Sequence, residues 1–207
     1  MSQPFNPLDR HNLAKAVATQ IEESEAVPLD IAGTYIHRNN FPGAGVYAIY
    51  YNGDFEAYTK LAAANADGPE YPIYVGKAIP EGGRKGLEDE AAVGNALAAR
   101  LREHRRSIVQ VDNLAIEDFQ MRWLVVEDIW IPLGESAMIR RYRPVWNAIV
   151  DGFGNHDPGR GRGKGLRSQW DTLHPGRKWA HKYPARQAGA EDLIAQDARQ
   201  YLDTRMS

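Results

Sequence analysis

The chain has 207 residues, is 43% hydrophobic and 25% charged, and carries a formal net charge of −2, ordinary values for a globular protein. It contains no cysteine, which excludes disulfides, thiolate nucleophiles and cysteine-ligated zinc. The opening MSQPFNPLDRHNLAKAV has no basic segment followed by an apolar one, and no run reaches the ~18 apolar residues of a membrane span. A cytoplasmic setting is expected.

In chain order, Asn6 before Pro7 reads as an N-cap and first helical position. Leu13, Val17 and Ile21 then recur at helical spacing, so an amphipathic helix is predicted to end before Pro28. GVYAIYY at 45–51 reads as the first strand and runs into Asn52-Gly53, a hairpin-type turn signal. DFEAYTKLAAANADG is helical in composition and closes at Gly68-Pro69, so the chain makes an excursion before its second strand at 72–79. EGGRKGLEDE is a glycine-rich charged loop.

Residues 95–108 predict a second amphipathic helix with Leu97, Leu101, His104 and Ile108 on one stripe. FQMRWLVV at 119–126 predicts a strand, and 134–142 a helix stopped by Pro144. After VWNAIV comes the glycine-rich DGFGNHDPGRGRGKG, then a tail with Trp170 and Trp179 and a final helix at 190–204. There is no internal repeat. The order predicts an α+β sandwich forming one domain over 1–207, with an insert at 52–70 and an extension at 151–207.

Charge is unevenly distributed. Residues 160–186 hold eight bases (Arg160, Arg162, Lys164, Arg167, Arg177, Lys178, Lys182, Arg186) against one acid, Asp171. Residues 1–30 hold five acids against two bases, and LREHRR at 101–106 is a second basic cluster. Clustered bases on a nearly neutral chain point to a polyanionic partner, although such runs are also ordinary solvated surface.

Several residues could carry chemistry, and each has a plainer reading. Arg100 and His104 stand four apart and project from one side of a helix. His104 could equally be a core histidine, and Arg100 could pair with Glu103 or cover the stripe with its stem. Glu135 suits a first helical turn, and Asn147 suits a turn or C-cap. Tyr47 and Tyr74 suit strands, with Gly76 marking a bulge or bend.

Taken together, in order and on matching elements, Tyr47, Tyr74, Arg100, His104, Glu135 and Asn147 resemble the GIY-YIG nuclease family. GVY stands for the first tripeptide and YVG for the second. The likeness covers about residues 41–150, with Tyr47 and Tyr74 spaced unusually widely because of the insert. IYVGKAIP, LREH, PVWNAIVDGFGNHDPG and HPGRKWA further resemble the type II restriction endonuclease branch that recognises a GC-rich palindrome, CCGCGG-type. On that match the likeness extends to nearly the whole chain, weakest in 1–40 and 187–207.

The resemblance implies a small three-stranded sheet flanked by helices, and hydrolysis of a DNA phosphodiester. It implies that Glu135 is the sole protein ligand of one divalent ion, Mg²⁺, and that Tyr47 orients or deprotonates the attacking water. Arg100 clamps the phosphate, Tyr74 binds it, His104 positions the Tyr47 hydroxyl and Asn147 fixes geometry. Lys77 and Arg100 are expected to depress the Tyr47 pKa from its ordinary value near ~10. Arg84, Lys85, Arg160, Arg162, Lys164 and Arg167 are candidates for DNA contact, since guanine edges suit Arg and Lys.

A homodimer is expected, with the 52–70 insert or the N-terminal helix as possible contacts, and a cognate DNA methyltransferase in the same system. The rival readings are a repair or structure-specific nuclease and a catalytically silent DNA-binding module.

Overall fold

The computed structural model describes residues 9–32, 43–79, 94–155 and 165–206. Its centre is a four-stranded antiparallel sheet in the order β1-β4-β2-β3, built from β1 (Val27–Pro28), β2 (Gly45–Tyr51), β3 (Pro72–Ala78) and β4 (Phe119–Val125). All seven residues of β2 are buried, which is why GVYAIYY reads as a continuous apolar run instead of alternating. Gly45 is required by packing alone. A Cβ there would lie 2.0 Å from the Leu124 carbonyl oxygen of the neighbouring β4.

Helices cover both faces. On one face α1 (Arg10–Glu23) and α4 (Ile131–Tyr142) bury Val17, Ala18, Ile21, Ile131 and Met138 against Val46, Ala48, Tyr50 and Val75. On the other, Tyr47, Ile49 and Tyr51 meet Leu97, Leu101 and Ile108 of α3 (Ala96–Val109) and Trp146 of α5 (Val145–Ala148). Trp170 and Leu173 of α6 (Gln169–Leu173) and Ile194, Ala198 and Leu202 of α7 (Ala190–Arg205) complete this second core.

The expected α+β sandwich is present, with two differences. Three strands were expected and four are present among the described residues, the fourth being the two-residue β1 paired to β4. Its Pro28 is tolerable because an edge strand can lack one N–H. The N-terminal helix runs from Arg10 to Glu23, and the expected cap at Asn6-Pro7 lies outside the described residues.

Asn52-Gly53 does not turn β2 directly into β3. A 3-10 turn at Glu56–Tyr58 leads into α2 (Thr59–Ala64). The buried Asn65 side chain then closes the excursion. It donates to the carbonyls of Tyr51 and Tyr71 and accepts from the amides of Glu70 and Tyr71. This insert is tied to α7 of the same chain through Arg199–Glu56 and Lys60–Asp203, as α1 is tied to α4 through Glu22–Arg141.

Among the described residues no helix is long and apolar enough to cross a membrane.

Candidate active site

Strand register brings the two tripeptides together. Tyr47 pairs with Gly76 and Ile49 with Tyr74, so the tyrosines sit diagonally on one face with ring centroids 6.3 Å apart. A Cβ on Gly76 would lie 2.3 Å from the Tyr47 hydroxyl. The glycine is there to let that phenol lie across β3.

α3 brings Arg100 and His104 to the same face. His104 Nε2 lies 2.6 Å from the Tyr47 hydroxyl, and its ring stacks on Phe153 at 4.5 Å with an 18° interplanar angle. Arg100 lies near enough to the hydroxyls of Tyr47 and Tyr74 to oppose the rise in pKa of both. It also donates from Nη1 to Glu103 at 3.0 Å and from Nη2 to the Gly154 carbonyl at 2.7 Å. The suspected pairing with Glu103 is therefore real, and it coexists with the place of Arg100 near the tyrosines.

Asn147 caps the open edge of β3. Its amide donates to the Val75 carbonyl and accepts from the Val75 N–H, both at 2.9 Å. Val75 separates Tyr74 from Gly76, so this clip holds the strand that carries YVG. It also satisfies two backbone groups that no neighbouring strand can reach.

Lys77 stands elsewhere than expected. It pairs with Val46 in register, on the sheet face opposite Tyr47 by strand alternation. Its Nζ meets Glu135 Oε2 at 2.6 Å. Glu135 is not a first-turn acid either: α4 begins at Ile131 and has no acid in its first turn, so the dipole argument does not account for this carboxylate.

The expected depression of the Tyr47 pKa is overturned. Burial, followed by the neighbouring Tyr74, pushes it well above 10, and Arg100 offsets only part of that rise. Tyr74 is raised for the same first reason, burial, with Arg100 again opposing. Glu135 raises both tyrosines as a smaller contribution, so it is near enough to act on each. Tyr47 of the free protein is thus a neutral phenol at neutral pH.

Among the described residues no group of three His, Asp or Glu side chains could enclose a metal ion. Glu135 could serve as a single ligand. Among the described residues only Lys77 hydrogen bonds to it, at Oε2, and its side chain is 20% exposed. A single carboxylate suits Mg²⁺, which retains several waters and takes further oxygens from a phosphate.

Of the DNA-contact candidates, Arg84, Lys85, Arg160, Arg162 and Lys164 lie outside the described residues. Arg167 is described, and its Nε is buried without a hydrogen-bond partner among the described residues. One base of the cluster has to be removed from the polyanion reading. Arg177 is 1% exposed and forms an ion pair with Asp171 at 2.6 Å.

Sequence reasoning passed over Phe153, Gly154 and this buried pair. The available signals were an aromatic residue flanked by glycines in DGFGN and a lone acid inside a basic run. Trp170 is fully buried and packs the tail on the core.

Two phenols, a guanidinium and an imidazole thus gather beside one carboxylate on a short antiparallel sheet. The family model for the Eco29kI GIY-YIG domain matches residues 39–202, and the chain belongs to this family of GIY-YIG restriction endonucleases. The match covers β2, β3 and β4, the insert and the tail into α7, and begins after α1 and β1. Restriction endonucleases act on DNA, so DNA is the partner. No curated protein matches the chain.

Proposed function

We propose that the protein is a type II endonuclease that cuts both strands of duplex DNA at a GC-rich palindrome of the CCGCGG type, acting as a homodimer with one Mg²⁺ per site. The supporting observation is the convergence of Tyr47, Tyr74, Arg100 and His104 on one sheet face, with Glu135 near enough to raise both tyrosine pKa values. Two symmetric cuts call for two copies of a single active site. A cognate methyltransferase would protect the host's own copies of the sequence.

With His104 Nε2 unprotonated, the Tyr47 oxygen faces the Arg100 donors and its own proton is directed to that nitrogen. A raised pKa rules out a stored phenolate and favours concerted transfer. As water attacks phosphorus, its proton passes to the Tyr47 oxygen and the Tyr47 proton passes to His104. Arg100 and Tyr74 hold the non-bridging oxygens while the P–O3′ bond breaks. Arg100 must release Gly154 or Glu103 to offer its full fork of donors. Glu135 would hold the divalent ion, which when bound would supply charge neutralisation at the phosphate and at the leaving 3′ oxygen. Asn147 keeps the YVG strand in place.

Digestion of a plasmid of known sequence with the purified protein and Mg²⁺, followed by mapping of the ends, tests this reading. Ends at one repeated GC-rich palindrome are expected. Cutting confined to branched DNA would mark a structure-specific nuclease, and binding without cutting a silent module.

A further inference from the structure

The tail's buried ion pair is joined to the site by a continuous set of contacts. Arg177 Nε and Nη2 donate to the two carboxylate oxygens of Asp171 at 2.6 and 2.7 Å. Ser168 Oγ donates to that carboxylate and accepts from the Asp171 amide, so the acid's orientation is set as well. The remaining Arg177 donors go to backbone. Nη2 reaches the Gly152 carbonyl at 2.8 Å, and Nη1 reaches the carbonyls of Phe153 at 3.0 Å and Asn155 at 3.3 Å. Nη1 also lies 3.5 Å from Ser107 Oγ on α3. The guanidinium is flanked by the rings of Trp170 and Trp179 at 4.5 and 4.6 Å.

Two residues of the clamped loop touch the site. Phe153 stacks on His104, and the Gly154 carbonyl accepts from Arg100. A Cβ at Gly154 would lie 2.6 Å from the Tyr74 hydroxyl and 3.2 Å from Arg100 Nη2. The tail also rests on the helix that carries both residues. A Cβ at Gly176 would lie 1.9 Å from the carbonyl oxygen of Gln110, just past the end of α3.

A buried arginine whose donors are spent on one acid, three carbonyls of the 152–155 loop and α3 is costly to assemble for packing alone. It fits a loop that has to sit in one place.

We propose that Arg177, oriented by Asp171, is a positioning residue for DNA cleavage. It fixes the 152–155 loop so that Phe153 sets the His104 ring and the Gly154 carbonyl sets the Arg100 guanidinium. The inference rests on the nuclease reading above, and it assigns to the tail a part in the chemistry in addition to any contact with DNA.

The test compares wild-type protein with Arg177→Lys, Asp171→Asn and Gly154→Ala under single-turnover conditions with Mg²⁺, well below each melting temperature. Arg177→Lys keeps the charge and loses the fork. Gly154→Ala leaves the clamp intact and disturbs only the site end, so it reports even if the clamp variants fail to fold. Small misplacements of catalytic groups cost on the order of 100-fold in rate. A loss of about that size is expected in each folded variant, with DNA affinity changed no more than about threefold. The His104 imidazole ¹⁵N resonances should also move in Arg177→Lys without DNA present, which a purely stabilising role would not produce. Folded variants with wild-type rates and unmoved His104 resonances would overturn the proposal. So would lowered melting temperatures alone. A wild-type protein that binds DNA and never cuts it would instead refute the nuclease reading, and this inference with it.

Discussion

The hydroxyl of Tyr47 lies 2.6 Å from Nε2 of His104, and both side chains are buried beneath the sheet. Burial holds the phenol protonated, so Tyr47 can pass a proton on but cannot wait as an anion. Tyr47→Phe keeps the ring and removes only the relay. Cleavage should fall by at least ~100-fold, the low end for a positioned acid or base, with thermal stability nearly unchanged. His104→Ala should lose activity comparably, and the double variant should lose little more than either single one, since the two act as a unit. Single-turnover rates across the cycle check this. Additive losses would mean that the residues act separately.

Lys77, which strand alternation places on the sheet face opposite Tyr47, forms an ion pair with Glu135 at 2.6 Å. Lys77→Met is therefore expected to leave the pH–rate profile in place, since its charge does not govern the phenol. Lys77 competes with a cation for Glu135, so the variant should reach half-maximal cleavage at a lower Mg²⁺ concentration. Glu135→Ala should abolish cleavage while gel-shift affinity stays close to wild type, because binding draws on many phosphate contacts. A Mg²⁺ titration of both variants decides it. An alkaline shift of the Lys77→Met profile would return that lysine to the neighbourhood of the tyrosines.

These outcomes mark where sequence reasoning stops. β2 and β3 were legible to within a residue because strands buried on both faces leave long apolar runs. Tyr47, Tyr74, Arg100, His104, Glu135 and Asn147 were picked out by their order and elements, and the fold brings Tyr47, Tyr74 and His104 into contact. What failed depended on faces and depth. Lys77 is three residues beyond Tyr74, and period-two alternation sends it to the other side of the sheet. The Tyr47 pKa depends on how deeply the core encloses a strand residue, which local spacing does not encode. Arg177 looked like solvent-exposed charge because its partner Asp171 and the carbonyls it caps meet it only in the folded tail. β1 has two residues, too few to show any period.

The two motif glycines predict opposite kinds of damage. A methyl on Gly45 meets the Leu124 carbonyl of β4 at 2.0 Å, so Gly45→Ala must force the central strands apart. A cost of about 3 kcal/mol in unfolding free energy is expected, at the upper end for overpacking. A methyl on Gly76 meets the Tyr47 hydroxyl at 2.3 Å, and the clash is relieved by moving the phenol off His104. Gly76→Ala should therefore lose most of its cleavage and less of its stability than Gly45→Ala. Urea unfolding and single-turnover rates, measured on both, give the contrast. A Gly76→Ala protein with full activity would show that Tyr47 does not need its position.

The second buried tyrosine–histidine pair predicts a pH dependence of stability. Asn113 donates from its amide to the Leu173 carbonyl at 2.9 Å, so its oxygen faces His174 Nδ1 at 3.0 Å and that nitrogen carries the proton. Nε2 is then the acceptor for the Tyr58 hydroxyl at 2.8 Å, and Tyr58 accepts in turn from Trp146 Nε1 at 2.8 Å. Every polar atom of this network is satisfied with a neutral imidazole, and burial lowers the His174 pKa from 6.5 to about 3. The unfolded chain therefore binds a proton between pH 6.5 and about 3 that the folded chain refuses. The associated stability is fully present above pH 6.5 and is lost as pH falls through that window, by at most about 1.4 kcal/mol per pH unit. His174→Gln should be less stable at pH 7 but lose less on acidification. Urea midpoints for both proteins at pH 7, 6, 5 and 4.5 should converge as the pH falls. Parallel curves would mean that His174 accepts a proton within the fold, and that Tyr58 and Asn113 do not hold it in the neutral tautomer.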